Sequence, residues 1–288
     1  MARVLVVGNA TLDIVHLVET YPREDDEVRA GAQFRRRGGN AANTAVALAQ
    51  LGHDVAFLGT LADEPDARTL LEDFAEQGVD TAHVRTVAGG KVPTSYVTLS
   101  RATGSRTIVH YRDLGEYRAA DFAHVDVQSA AWVHFEGRNL DELAKMLRDC
   151  RARQPRAVLS LEAEKPRPGL EALFGLVDVV LFSRGYALHH GHARAEDLLR
   201  AVHAQHPQLT LACGWGAEGA WAAAPSGELL FTPAFAPPQV VDTLGAGDVF
   251  NAGMIDALVR SAPLAEALAH GAQVAGRKCG HHGIAGLR

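Results

Sequence analysis

Short apolar runs recur along the 288-residue chain, separated by stretches whose apolar positions follow a helical spacing. Arg3–Val7 is rich in β-branched residues and apolar on both faces, the pattern of a strand buried on two sides. Asp54–Leu58, Trp132–Phe135, Ala157–Leu161, Asp178–Phe182 and Leu209–Cys213 read the same way. Between them, the pattern predicts helices over Ala41–Leu51, Pro65–Gln77, Leu140–Arg151 and Ala195–Gln205. Buried strands alternating with helices predict an α/β fold, a mostly parallel sheet covered by helices on both faces.

Two stretches break that rhythm. Residues 13–36 and 91–112 lack helical periodicity and are rich in strand formers. Thr94–Leu99 alternates, residues 102–105 supply a turn, and Thr107–Tyr111 runs back, which predicts a hairpin. A parallel core has no natural place for these segments. They are expected to form a small separate β-sheet, a lid over the carboxyl edge of the core strands, where open α/β sheets bind ligands. With no internal repeat or long linker, residues 1–288 are expected to form one domain with that lid inserted.

Composition narrows the classes. A hydrophobic fraction of 47% with 22% charged residues is that of a globular chain, and a net charge of -6 argues against nucleic acid or an anionic membrane as partner. The basic run Arg35-Arg36-Arg37 is short and reads as a solvated strand end. The run Val4–Val7 is too short for a signal peptide or a membrane span. Cys150, Cys213 and Cys279 form no CxxC pair, which fits a reducing, cytoplasmic setting. His189, His190 and His192 do not converge on one helical face and read as a solvated helix end.

The segment from Val240 to Gly253 carries the most chemistry. Small residues at Gly245, Ala246 and Gly247 precede an apolar helical pattern running to about Val259. Their backbone N–H groups, with the positive end of the helix dipole, make an anion hole suited to phosphate. Asp248 falls in the first helical turn, where it is either an ordinary helix-start carboxylate or the base that takes a proton from an attacking alcohol. Asp242 either supports it or closes a turn. No Walker A loop occurs anywhere in the chain.

Gly38-Gly39-Asn40-Ala41-Ala42-Asn43 opens another helix. Its two amides, three residues apart, suit a polyhydroxylated ligand that both donates and accepts hydrogen bonds. Asn40 alone could equally be an N-cap. Asp13, flanked by apolar residues, needs a partner, which could be sugar hydroxyls or lid backbone. Gly214-Trp215-Gly216-Ala217-Glu218-Gly219 fits the dinucleotide pattern, but the hairpin-like sequence after it opposes a nicotinamide enzyme. Its glycines read instead as allowing backbone to approach a nucleotide.

GGNAANTAVALAQLG and DTLGAGDVFNAG, in this order and at this separation, resemble the two signatures of the pfkB, or ribokinase-like, carbohydrate kinases. YPREDDEVRA, GSRTIVHY, WVHFEGRN, EAEKPR, VVDTLGAGD and GAQVAGRKCG are similar to segments of its ketose-phosphorylating branch. The resemblance implies a Rossmann-like core with a β-sheet lid, use of ATP and Mg²⁺ with K⁺ as a further candidate, and phosphorylation of fructose at O1. It implies sugar contacts from Asp13, Gly39, Asn40, Asn43 and Asp248, and a homodimer whose clasped lids bring Asp25 to the partner's sugar site. Arg106 and Arg138 would line the site, with Arg106 near the transferred phosphate. Trp215, Gly216, Glu218, Gly219, Thr243 and the Cys279 region would surround the nucleotide. Many members carry an NxxE stretch tied to Mg²⁺; the corresponding place here reads Ser183-Arg184-Gly185-Tyr186, so no metal ligand is assigned.

Overall fold

The computed structural model describes residues 1–284, 286 and 287. Its principal sheet has nine strands in the order β15-β14-β13-β12-β11-β10-β1-β4-β6. Six of them are the apolar runs expected from the pattern: β1 (Arg3–Val7), β4 (Asp54–Leu58), β10 (Trp132–Glu136), β11 (Val158–Ala163), β12 (Val179–Ser183) and β13 (Thr210–Gly214). All six run parallel, so their carboxyl ends share one edge. The short β6 (Val79–Asp80) adds a parallel strand at one side, and β14 (Ala220–Ala223) and β15 (Leu229–Thr232) add an antiparallel hairpin at the other. β5 (Thr60–Ala62) and β7 (Arg85–Val87) pair separately.

Helices cover both faces, and a separate apolar cluster fills each. On one face lie α1 (Asn40–Gln50), α2 (Pro65–Glu76), α7 (Ala246–Val259) and α8 (Leu264–Cys279); on the other lie α3 (Ala119–Phe122), α4 (Leu140–Arg153), α5 (Arg184–His189) and α6 (Ala195–Gln205). The expected helix boundaries hold to within two residues. Helix α8 was not expected from periodicity, because glycines at 271 and 276 interrupt its apolar stripe. Those glycines serve packing. A Cβ on Gly253 of α7 would lie 2.8 Å from the Cα of Gly271, so the two backbones touch there without side chains between them.

The two irregular stretches form a second, four-stranded sheet in the order β3-β2-β8-β9. It comprises β2 (Thr11–Val18), β3 (Ala32–Gly38), β8 (Thr94–Ser100) and β9 (Arg106–Tyr111), with β8 and β9 antiparallel as expected. β2 leaves β1 after only residues 8–10, and β3 enters α1 through Gly39, so this sheet rises from the carboxyl edge of the principal one.

The arginine triplet at the end of β3 is paired throughout: Arg35 stays half exposed, while Arg36 and Arg37 are largely withdrawn from solvent. Arg35 pairs with Asp66 of α2, Arg36 with Asp242 at 2.7 Å, and Arg37 with Asp73 of α2 at 2.6 Å. Each residue ties the small sheet to a different point on the main body. Among the described residues, no helix is long and apolar enough to cross a membrane.

Candidate active site at the α7 N-terminus

Gly245 turns the chain into α7 with φ of 81°, a left-handed conformation open to glycine. Gly247 and Asp248 follow in the first turn, and no described residue accepts a hydrogen bond from their backbone N–H groups. Ala246 N–H donates to Thr243 O at 3.3 Å, so of the amides at 245–247 expected to form an anion hole this one is already engaged. Thr243 lies exposed at the mouth of this turn.

Asp248 does not cap its helix. Its Oδ2 accepts from Asn43 Nδ2 at 2.7 Å, while Asn43 Oδ1 accepts from Arg37 Nη1 at 2.6 Å. Thr44 Oγ1 donates to the Asp248 carbonyl at 3.3 Å, fixing α1 against α7. No donor among the described residues reaches Asp248 Oδ1. Burial raises the Asp248 pKa; the Asn43 hydrogen bond opposes this, Glu164 and Glu136 reinforce it, and Arg37 offsets it. The carboxylate is thereby made a better proton acceptor than an exposed aspartate.

A second buried carboxylate lies beside it. Glu162, at the carboxyl end of β11, accepts through Oε1 from Asn40 Nδ2 at 3.2 Å and from Asn251 Nδ2 at 3.0 Å. Its Oε2 is buried without a partner. Burial, with Asp248, Glu136 and Glu164 nearby, holds its pKa well above the usual carboxylate range. Asn40 is the first residue of α1 with Gly39 before it, and its side chain caps nothing, so the N-cap reading fails. Both amides of the GGNAAN segment point to carboxylates of the site, and each keeps a further donor or acceptor for a ligand.

Asp13 sits on β2 opposite Ser95 and Arg36. Its Oδ1 accepts from Thr11 Oγ1 at 2.8 Å, and its carboxylate packs against Gly38. Burial raises its pKa, opposed first by Thr11 and Ser95 and then by Arg36 and Arg37. Arg138 donates to Glu136 at 2.8 Å and to Glu116 at 2.6 Å. Glu136 in turn accepts from Asn9 N–H at 2.8 Å. Arg138, Glu136, Asn9, Gly8 and Thr60 line a small cavity together with Arg112, whose Nε and Nη2 are buried without partners. Burial lowers the Arg112 pKa to about 10.

Arg106, and Asp25 whose expected place is a partner's site, lie apart from this cluster. Arg106 pairs with Leu99 at the outer end of β9, four residues beyond His110, which lies level with Ser95. At strand spacing that is about 13 Å further from the site, so Arg112 at the near end of β9 is the arginine of that segment beside Glu136. Asp25 is exposed in the connection between β2 and β3, with φ of 64°, and makes no contact with its own chain's site.

On the nucleotide side, Trp215–Gly219 follows β13, whose Gly214 abuts Phe250 of α7. Trp215 N–H donates to Gly219 O at 2.8 Å, and Gly216–Glu218 forms a single 3-10 turn. The Trp215 ring is not an open stacking surface: it is buried, meets Trp221 edge-on and is covered by Arg184. Glu218 is exposed beside Arg184. Cys279 contributes its carbonyl, which accepts from Val241 and Asp242 N–H.

Asp242 proves to be more than a turn residue. Oδ1 accepts from Leu244 N–H at 2.9 Å; Oδ2 accepts from Arg36 at 2.7 Å and Gly283 N–H at 3.1 Å. The fully buried Lys278 of α8 donates to its carbonyl at 2.6 Å and lies 3.3 Å from Oδ2. Although burial opposes ionisation, Arg36 and Lys278 hold its pKa down at about 2. Lys278 was invisible in the sequence, because a lysine in a helical stripe looks solvent-facing. In the NxxE position, Ser183 accepts from Tyr186 N–H and donates to Glu164 O, so it caps α5. No cluster of three or more His, Cys, Asp or Glu that could hold a metal ion occurs among the described residues.

The sequence pattern described as pfkB family carbohydrate kinase matches residues 1–286. A ketohexokinase from Mus musculus is 42% identical, over 99% of this chain and 98% of that protein. An ATP-dependent ribose-1-phosphate kinase from Halopiger xanaduensis is 29% identical, over 96% of this chain and 93% of that protein. A structure of Arabidopsis thaliana ribokinase complexed with ribose and ATP superposes with a TM-score of 0.81 at 21% identity, covering 99% of this chain and 95% of that one.

Lys278→Met should destabilise the fold by about 3 kcal/mol by breaking a buried pair. Asp242 has a depressed pKa, so its contribution is full above the ordinary carboxylate range and is lost as pH falls towards about 2. Urea unfolding should show the gap between wild type and variant shrinking below about pH 4; a gap independent of pH would contradict this account.

Proposed function

The chain belongs to the pfkB family of carbohydrate kinases, and from that premise we propose that it phosphorylates D-fructose at O1, giving fructose 1-phosphate and ADP, with Asp248 as the base. The observation that carries the reading is the Asp248 carboxylate in the first turn of α7, beside unpaired backbone N–H groups and hydrogen-bonded to Asn43. Phosphoryl transfer asks for these parts: an anion cradle, an acceptor for the alcohol proton, and charge to offset the developing phosphoryl oxygens. The 42% identity to a ketohexokinase over nearly the full length supports the choice of acceptor.

In this reading the sugar lies between Asp13 of the small sheet and Asp248 of the main body, with Gly39, Asn40, Asn43 and Arg138 around it. Asp248 Oδ1 takes the proton of the attacking hydroxyl as the terminal phosphoryl group of ATP transfers. The phosphate oxygens meet the N–H groups at Gly247 and Asp248. Glu162 and Glu164 fit a Mg²⁺ held chiefly by phosphates and water, Glu162 through its unpartnered Oε2. When bound, that ion neutralises phosphate charge. The small sheet acts as a lid that excludes water, which would otherwise compete as acceptor.

A second copy of the chain would complete the lid. Tyr96, Val109 and Tyr111 leave an exposed apolar patch on one face of β8 and β9, and Asp25 extends away from its own site. Sedimentation equilibrium should give a dimer that Val109→Asp dissociates; a wild-type monomer at micromolar concentration would end the idea.

ADP release measured over a panel of sugars, with the product's phosphate position read by phosphorus NMR, tests the acceptor. Fructose should be the preferred sugar, phosphorylated at O1; phosphate on O6 would rule that acceptor out. Asp248→Asn should lower turnover by about 10²–10⁴-fold while preserving sugar binding. Its Tm should equal or exceed that of the wild type, since the substitution removes a buried charge. Full turnover in Asp248→Asn would remove it as the base.

A further inference from the structure

Arg37 stands out among the buried groups that neither the family signatures nor the reaction above uses. Its side chain is only 6% exposed, and its guanidinium is held on three sides. Nε donates to Asp73 Oδ2 at 2.6 Å, Nη1 donates to Asn43 Oδ1 at 2.6 Å, and the cation lies 5.7 Å from the centroid of the Phe74 ring. Phe74 is itself stacked on Phe57 of β4, 4.8 Å between centroids. The platform under Arg37 is therefore part of the main core.

We propose that Arg37, clamped by Asp73, is the positioning residue for the phosphoryl-transfer base: it fixes the Asn43 amide so that Nδ2 donates to Asp248 Oδ2 and leaves Oδ1 for the acceptor hydroxyl. An amide has two orientations related by a half-turn, and only one presents a donor to a carboxylate. A guanidinium can only donate, so it selects the orientation in which Asn43 Oδ1 faces Arg37 and Nδ2 faces Asp248. Without that selection the reversed amide would direct an oxygen at Asp248, and the carboxylate would lose its anchor. A lysine could supply the charge but could not hold Asp73 and Asn43 with two fixed arms.

Arg37 has an electrostatic role as well. The groups facing Asp248 are Asn43 and Thr44 from α1, Glu136 from β10, Glu162 and Glu164 at the end of β11, and Arg37 from β3. Asp13 of β2 and Asp73 of α2 also interact with Arg37. Three carboxylates thus press Asp248 towards its protonated form, and Arg37 is the cation that opposes them. It also lies in the small sheet while its clamp, Asp73, lies in the main body. The orientation of the base is therefore tied to the attachment of the lid.

This inference rests on Asp248 being the base, and the test separates the two. Arg37→Met and Arg37→Lys are compared with wild type in kcat and KM for fructose, with folding checked by circular dichroism. In Arg37→Met kcat should fall about tenfold with KM for fructose altered less than twofold, because the base loses its orientation while the sugar contacts remain. Arg37→Lys should also lose kcat at little-changed KM, since charge remains but the two fixed arms do not. A folded Arg37→Met with wild-type kcat, or one in which KM rises as much as kcat falls, overturns the proposal. If Arg37→Met does not fold, Arg37→Lys decides: wild-type kcat overturns the proposal, and a loss of kcat at unchanged KM supports it. Loss of turnover in Asp248→Asn alongside wild-type kcat in Arg37→Met rejects this inference and leaves the base assignment standing.

Discussion

Burial of the Asp248 carboxylate between α1 and α7 removes most of its hydration, and the surrounding structure is arranged around that loss. Asn43 returns one hydrogen bond, and Arg37 returns a positive charge through Asn43. Glu136, Glu162 and Glu164 act against both. The balance leaves a group that holds a proton more readily than a surface aspartate, which is what abstraction from a weakly acidic alcohol requires. The same balance makes the site a place of stored instability in the fold, as expected where function sets the local chemistry.

The candidate site draws on two bodies. Asp13 and Ser95 belong to the four-stranded sheet, while Asp248, Asn40 and Asn43 belong to helices on the nine-stranded one. Residues 8–10 and Gly39 join them covalently, and the three consecutive arginines of β3 join them electrostatically. Adjacent strand residues point to opposite faces, so Arg35 and Arg37 both reach α2, at Asp66 and Asp73, while Arg36 between them turns the other way to Asp242.

Much of this was legible from residue order alone. The two-sided apolar runs located six core strands, and the loss of helical periodicity marked the second sheet. Small residues before Asp248 marked the glycine turn that opens α7. What escaped were interactions whose logic is long-range. Arg35, Arg36 and Arg37 looked like a solvated end because their acidic partners lie 31, 206 and 36 residues away. Lys278 gave no signal at all, because Asp242, whose carbonyl it meets, lies 36 positions earlier in sequence. A motif reports which strand Arg106 occupies and not its place along that strand, four residues beyond the one level with Ser95. Nor does sequence show that the Trp215 ring packs into the core.

The Asp242 anchor bears on the order in which the protein can be assembled. The loop that leads into the turn before α7 is held by Lys278 and Gly283, and Gln50 in α1 reaches forward to the carbonyl of Ile284. A nascent chain can pair β1 with β4 and dock α1 long before these late residues leave the ribosome. Until they do, Asp242 has only Arg36, and the backbone before α7 has no support from α8. The turn before α7 therefore gains this support only after residues 278–284 have been made, later than every strand of both sheets.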